Sequence, residues 1–331
     1  MITYELIQRT WQIIDSVGIN GTVEANQIDI VSVPAGHPLL SYDLQSRKHL
    51  LIPIDEETRI IEDKQSAGVH VFVSEWSENG RKQRYIDVVC LKNHLNSLFD
   101  LIIFEILKTL STDSYQLENV CWDELNRWRE LLSREPGSIP EKITLIGVWG
   151  ELIFLRDMVR INPLVIRNWL GPNGARYDFF TGKTAIEVKT SVQRKGRVIT
   201  VHGYDQLDRP PEGCLYVAIQ KIEEVTAGGE SIGDLINSLV DLGCDRVILL
   251  EKLAGLGLTP NVIEQCSDMR FKRIECRIYH VDDDFPCITP SSFKGDAIPN
   301  RVIDISYQLD LSYEPPFPID VNKAQELLRL F

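Results

Sequence analysis

Asp178, Glu187 and Lys189 have the residue types and the spacing for chemistry on a phosphodiester. They lie in Arg176-Tyr-Asp-Phe-Phe-Thr-Gly-Lys-Thr-Ala-Ile-Glu-Val-Lys189, where two short β-prone runs face each other across Gly182-Lys183. A glycine followed by another residue suits a type II′ two-residue turn. With that turn Thr181 pairs with Thr184, and counting outward sets Asp178 opposite Glu187. Lys189, two residues beyond Glu187, projects from the same face of its strand. Opposed carboxylates repel across a hairpin, so the pattern calls for a divalent cation and an ammonium to offset them. Mg²⁺ or Mn²⁺ held by oxygen ligands keeps several waters and can activate one of them. The lysine can orient or deprotonate the attacking water, or offset negative charge in the transition state. The Val188 carbonyl is a further candidate ligand.

The elements around this hairpin must hold it. A helix is expected over about 141–160, with Ile143, Ile146, Trp149, Leu152 and Ile153 as apolar contacts. Glu151 follows Gly147-Val-Trp-Gly150 in that helix; it either reaches solvent or joins the acids of the hairpin. Beyond the hairpin, Arg197–His202 alternates as a strand, Tyr204–Leu207 begins a turn or helix, and Cys214–Gln220 reads as a buried strand. A helix over 231–242, strands over 246–250, 271–281 and near 301–309, and a last helix from about 320 complete this part.

The earlier part of the chain carries no catalytic signature. Leu6, Trp11, Ile13 and Ile14 give residues 1–18 an apolar helical stripe, with Gly18 and Gly21 at its exit. Short β-rich runs follow at Ile28–Val33, Leu50–Ile54, Val69–Val73 and Arg84–Cys90, the last after a Glu78-Asn-Gly80 turn. Helices are expected over about 93–111 and 114–134, and Glu135-Pro-Gly-Ser-Ile-Pro140 reads as a boundary loop. The organisation expected is an α+β domain over 1–112, a helix and linker over 113–140, and a catalytic domain over 141–331. His37, His49, His70 and His94 match no ligand spacing and read as ordinary structural or surface histidines.

Composition bounds the function. Hydrophobic residues make up 44% and charged residues 25% of the 331 positions, which suits a globular chain with a substantial core. There is no apolar run of membrane-spanning length and no signal-peptide pattern at the start. Seven scattered cysteines without a CxxC pair indicate neither a disulfide framework nor a zinc knuckle, and a reducing cytoplasm is expected. A net charge of −13 counts against a protein that coats nucleic acid, though a basic cleft can coexist with an acidic exterior. Arg176, Lys183, Arg194, Lys195 and Arg197 gather around the hairpin and form the local basic patch that an acidic protein would need to meet a nucleic acid.

Asp178, eight residues, then Glu187-Val-Lys189 resembles the active-site motif of the PD-(D/E)XK nuclease superfamily, although Tyr177 stands where that motif has proline. Gly147-Val-Trp-Gly-Glu-Leu-Ile-Phe-Leu155, Trp169-Leu-Gly-Pro172, Ile186-Glu-Val-Lys-Thr-Ser191 and Gln206-Leu207 sharpen the likeness. Together they resemble a bacterial PD-(D/E)XK family found in gene clusters linked to restriction and phage defence. The resemblance implies a restriction-endonuclease-like α/β (α+β) core, a mixed central sheet flanked by helices. It implies Asp178 and Glu187 as metal ligands, Lys189 as the catalytic lysine, Glu151 as the acid of the first core helix, and Gln206 as support for the lysine or a DNA contact. The activity expected is Mg²⁺-dependent DNA hydrolysis in restriction or anti-phage defence, with DNA and other defence proteins as partners. Duplex cleavage would most simply use two active sites, so a homodimer is compatible with the reading on symmetry grounds, with no specific residue pointing to it. A scaffold subunit of a defence complex and a nuclease acting on RNA stand as alternatives. No GxxxxGK[ST] loop is present for an ATP motor.

Overall fold

The β-rich stretch after the first helix folds into a five-stranded antiparallel sheet of order β1-β2-β3-β5-β4. Its strands are β1 (Ala25–Gln27), β2 (Leu39–Tyr42), β3 (Lys48–Ile54), β4 (Val69–Glu78) and β5 (Arg81–Cys90). The computed structural model describes residues 2–17, 25–64, 68–78, 81–112, 117–133, 138–193, 196–295 and 297–331. The expected helix exit at Gly18 and Gly21, the Asn79-Gly80 turn, residues 135–137 of the boundary loop, and Arg194 and Lys195 lie outside these.

Helices α1 (Tyr4–Val17), α2 (Asn96–Thr112) and α3 (Leu117–Ser133) accompany this sheet in a first unit, Met1–Pro136 with Thr259–Asn261. The buried stripe of α1 is Ile7, Trp11 and Ile14, while Ile13 faces outward. Ile28–Val33 is not a strand. Its backbone is taken up by turns, with Val31 N–H on the Ile28 carbonyl and a reciprocal Val33–Gly36 bridge across Pro34. The pairing of β1 with β2 has already ended at Gln27–Leu39. Inside the unit the Lys48 ammonium meets both Asp100 oxygens at 2.8 and 2.7 Å, and Gln8 Nε2 donates to Asp100 Oδ2.

The second unit, Gly137–Leu258 with Val262–Phe331, contains the hairpin. After α4 (Lys142–Val159) come β6 (Phe179–Phe180), β7 (Thr184–Ser191), β8 (Val198–His202) and β9 (Cys214–Glu224). Helices α5 (Ile232–Asp241), α6 (Arg246–Gly255) and α7 (Pro260–Gln265) follow, then β10 (Phe271–His280), β11 (Ser306–Asp310) and α8 (Val321–Leu328). A mixed sheet runs β10-β9-β7-β6, with β7 and β9 parallel and both flanking pairs antiparallel; β11 and β8 form a separate antiparallel pair. A mixed sheet and antiparallel sheets together with several helices make this an α/β chain compatible with a restriction-endonuclease-like α+β fold.

Residues 246–250 are helical, not a strand. Asp245 caps α6 by accepting the Val247 and Ile248 N–H groups at 2.9 and 3.3 Å, satisfying donors that a helix start leaves open. A short apolar run does not distinguish a buried strand from one face of a helix. The core between the two sheets joins Ala185, Leu215, Val217 and Ile219 to Ile199, Val201 and Leu311.

Candidate active site

Helix α4 is apolar nearly all round, as a helix buried in a core must be. Gly150 lets it settle onto β7. A Cβ there would stand 1.8 Å from Thr190 Oγ1, so only glycine permits this approach. Trp149 Nε1 donates to the Glu230 carbonyl at 2.8 Å and fixes the rotation of the same turn. Glu151, the next residue, is thereby brought to the hairpin with little freedom.

The hairpin has the expected register: Phe179 pairs with Ile186 and Phe180 with Ala185, so continuing the ladder sets Asp178 against Glu187. Thr181 N–H reaches the Thr184 carbonyl at 3.0 Å, and Gly182 takes the positive φ of 91° that the turn requires. Asp178 Oδ2 accepts the Val188 N–H at 2.7 Å, locking the first carboxylate to the strand that carries the second. On β7, Lys189 Nζ lies 2.8 Å from Glu187 Oε1 and donates to Gln206 Oε1 at 2.7 Å. Gln206 Oε1 also accepts the His202 N–H at 3.1 Å, which anchors the amide.

Glu151 is held from the other side. Trp169 Nε1 donates to Glu151 Oε2 at 2.7 Å. The following Leu170 and Gly171 give their N–H groups to the Asp178 carbonyl at 2.7 and 3.1 Å. A Cβ on Gly171 would meet Asp178 Oδ1 at 2.7 Å and Glu151 Oε2 at 3.0 Å, so both oxygens border the space that this glycine leaves open.

Three carboxylates around one ammonium is an unfavourable charge balance, and their protonation reflects it. Burial first, then the charge of Glu187, pushes the Glu151 carboxyl up to about 7, with the Trp169 N–H and Lys189 opposing. Asp178 is raised well above the usual carboxylate range by burial and by the Glu151 and Glu187 charges, against the Val188 N–H. Burial also raises Glu187, opposed by the charge and hydrogen bond of Lys189.

An all-oxygen donor set that repels itself suits a hard divalent cation. The space beside Gly171, bordered by Glu151 and Asp178 oxygens, is consistent with one. Among the described residues, however, no group of three or more His, Cys, Asp and Glu side chains is arranged as it stands to hold a metal ion. Each carboxylate is instead engaged by a protein donor: Glu151 by Trp169, Asp178 by Val188 N–H, Glu187 by Lys189. Val188 takes part through its N–H.

The basic residues near the hairpin are placed differently from one another. Lys183 is exposed at the turn. Arg176 donates to the Asp205 and Asp208 carbonyls at 2.6 and 2.7 Å and pairs with the Asp208 carboxylate at 2.9 Å. Arg197 pairs with Glu275 at 3.0 Å. Both guanidiniums are thus taken up within the chain, Arg176 by the 205–208 loop and Arg197 by a carboxylate on β10. Trp169, Gly171 and Asp205 carry roles that motif spacing does not reveal. Asp205 adds a further negative charge that raises Glu187.

A helix glutamate beside a hairpin bearing Asp178 and Glu187-Val188-Lys189 has the elements of a PD-(D/E)XK protein. The chain belongs to the family described as "Putative PD-(D/E)XK family member, (DUF4420)", which matches residues 7–312. Membership points to nuclease chemistry. No curated protein and no solved structure matches the chain. No helix among the described residues is long and apolar enough to cross a membrane.

Proposed function

We propose that this protein is a metal-dependent nuclease that hydrolyses DNA phosphodiester bonds in the bacterial cytoplasm, in restriction or anti-phage defence. The observation that carries the reading is the Asp178–Glu187–Lys189 cluster, reached by Glu151 from α4, in a chain of a PD-(D/E)XK family. Asp178, Glu187 and Glu151, with the Val188 carbonyl, are the residues that would hold Mg²⁺ or Mn²⁺. A cation held there would supply Lewis acidity and lower the pKa of a water.

The chain's own groups do the rest. Glu187 and Gln206 hold the Lys189 ammonium between them, aimed at the face that bears the carboxylates. From there it can orient the attacking water and offset charge on the phosphorus oxygens. Val188 N–H keeps Asp178 turned inward, and burial of the cluster strengthens each of these interactions over its value in water.

The test is a cleavage assay on duplex DNA, single-stranded DNA and RNA, with Mg²⁺ and with chelator. Wild type cleaves DNA only with metal, and Glu187→Ala and Lys189→Ala abolish cleavage while keeping the circular-dichroism spectrum. Cleavage that survives both substitutions would overturn the assignment. Preference for RNA would move it to that substrate.

One observation favours a partner-dependent version. With Arg176 and Arg197 paired internally, this face has less free positive charge than its composition implies. A second defence protein would then supply much of the DNA affinity. Cleavage by the isolated chain at physiological salt would exclude this version.

A further inference from the structure

We propose that Trp169 is a positioning residue: through its indole N–H it aims Glu151 at the Asp178–Glu187 cluster, and its segment ties Glu151 and Asp178 together as one ligand pair. This deepens the reading above and rests on it.

The geometry is specific. Trp169 is fully buried, and its Nε1 donates to Glu151 Oε2 at 2.7 Å. Indole has one donor and no acceptor, so it fixes a carboxylate oxygen without competing for a cation. The other oxygen, Oε1, takes no hydrogen bond from the described residues. The backbone of the same segment serves Asp178: Trp169 bridges Phe179, and the Leu170 and Gly171 N–H groups both reach the Asp178 carbonyl. One tripeptide therefore holds Glu151 by a side chain and Asp178 by its main chain.

The segment is itself braced. Lys252 on α6 donates from Nζ to the Trp169 carbonyl at 2.5 Å, and Asn168 Nδ2 donates to the Phe180 carbonyl at 3.1 Å. Gly255 lets α6 lie close behind, since a Cβ there would be 3.1 Å from the Pro172 carbonyl. Outer groups that orient metal-binding side chains commonly contribute 10- to 100-fold in metal affinity.

The test replaces Trp169 by benzothienylalanine, which keeps the bicyclic shape but has sulfur in place of N–H; Trp169→Phe serves as a second variant. Mn²⁺ affinity is read by electron paramagnetic resonance, and thermal unfolding reports on the fold. The expected result is a loss of roughly 10- to 100-fold in Mn²⁺ affinity with a melting temperature near wild type for the isostere. Glu151→Gln is expected to lower affinity too, and adding the Trp169 replacement to Glu151→Gln to cause no further loss. A general packing role for Trp169 would make the two losses add. Unchanged affinity in the isostere, or additive losses, would overturn the positioning role while leaving the nuclease reading intact. Absence of Mn²⁺ binding by wild type would overturn both.

Discussion

Lys189 Nζ and Gln206 Oε1 meet at 2.7 Å although Lys189 lies in a strand of the mixed sheet and Gln206 in the turn that follows a strand of the separate pair. Lys189 belongs to β7 of the mixed sheet, whereas Gln206 follows β8 and is anchored by the His202 N–H. A hydrogen bond to a charged group contributes about 1.5–3 kcal/mol. Gln206→Leu is therefore expected to slow cleavage about tenfold or more by loosening the ammonium, while Mn²⁺ affinity stays within about twofold of wild type because no proposed ligand is touched. Single-turnover cleavage with a parallel Mn²⁺ titration checks both halves. Equal loss of rate and metal affinity would place Gln206 among the metal-binding groups.

The contact between α4 and β7 sets a second expectation. Gly150→Ala forces a methyl to within 1.8 Å of Thr190 Oγ1, with Thr190 Cβ and Cγ2 also within about 3 Å. Overpacking of this kind typically costs about 1–3 kcal/mol. Thermal unfolding should show the loss. Adding Thr190→Ala should recover part of it, because two of the three clashing atoms disappear. The single variant is also expected to bind Mn²⁺ more weakly, since Glu151 moves with its helix.

The acids of the site predict how metal-free stability depends on pH. Glu151 is raised from 4.5 in the unfolded reference to about 7 in the fold. Between those values the native state holds the extra proton, so the contribution is fully present below about 4.5 and is lost as pH rises through about 7. The scale is about 1.4 kcal/mol per unit of pH. Melting temperature in chelator should fall between pH 5 and pH 8. Glu151→Gln should flatten that fall and be the more stable protein at pH 8. A cation should help wild type most at pH 8, where the carboxylates are charged.

In the first unit, the buried Lys48–Asp100 pair is expected to show an asymmetry. Both side chains are nearly excluded from solvent, and Trp11 lies beneath the ammonium at 4.6 Å. Asp100→Ala leaves that charge buried without its partner, at a cost of about 3–5 kcal/mol. Hydrogen exchange over α1 and α2 should accelerate strongly in this variant. The pair Lys48→Met with Asp100→Leu should exchange close to the wild-type rate, because neither charge then remains buried.

What the sequence made legible was local. The hairpin register followed from the two-residue period of a strand and from one glycine at the turn, and the observed pairs Phe179–Ile186 and Phe180–Ala185 have it. The α4 boundaries followed from its apolar length, although Ile143, expected as a contact, points outward. Val247, Ile248, Leu249 and Leu250 form a short apolar run that suits a buried strand or a helix face alike, and the capping aspartate in front of them decides for the helix. The commitment of Arg176 to loop carbonyls, of Arg197 to Glu275, and of Trp169 to Glu151 was not legible. Each depends on segments distant in sequence meeting in space, where periodicity carries no information.

The pairing of β8 with β11 has a consequence in time. Ser306 lies opposite His202, the residue whose N–H anchors Gln206. Chains are made from the N-terminus at about 5–20 residues per second and fold as segments emerge. The strand that precedes Gln206 therefore leaves the ribosome well before the strand that pairs with it. Until Ser306–Asp310 has emerged, β8 lacks its partner strand, and the turn that carries Gln206 lacks the brace behind it. Lys189 thus acquires its complete setting only after Ser306–Asp310 has emerged, so a growing chain carries the acids of the candidate site before it carries their full arrangement.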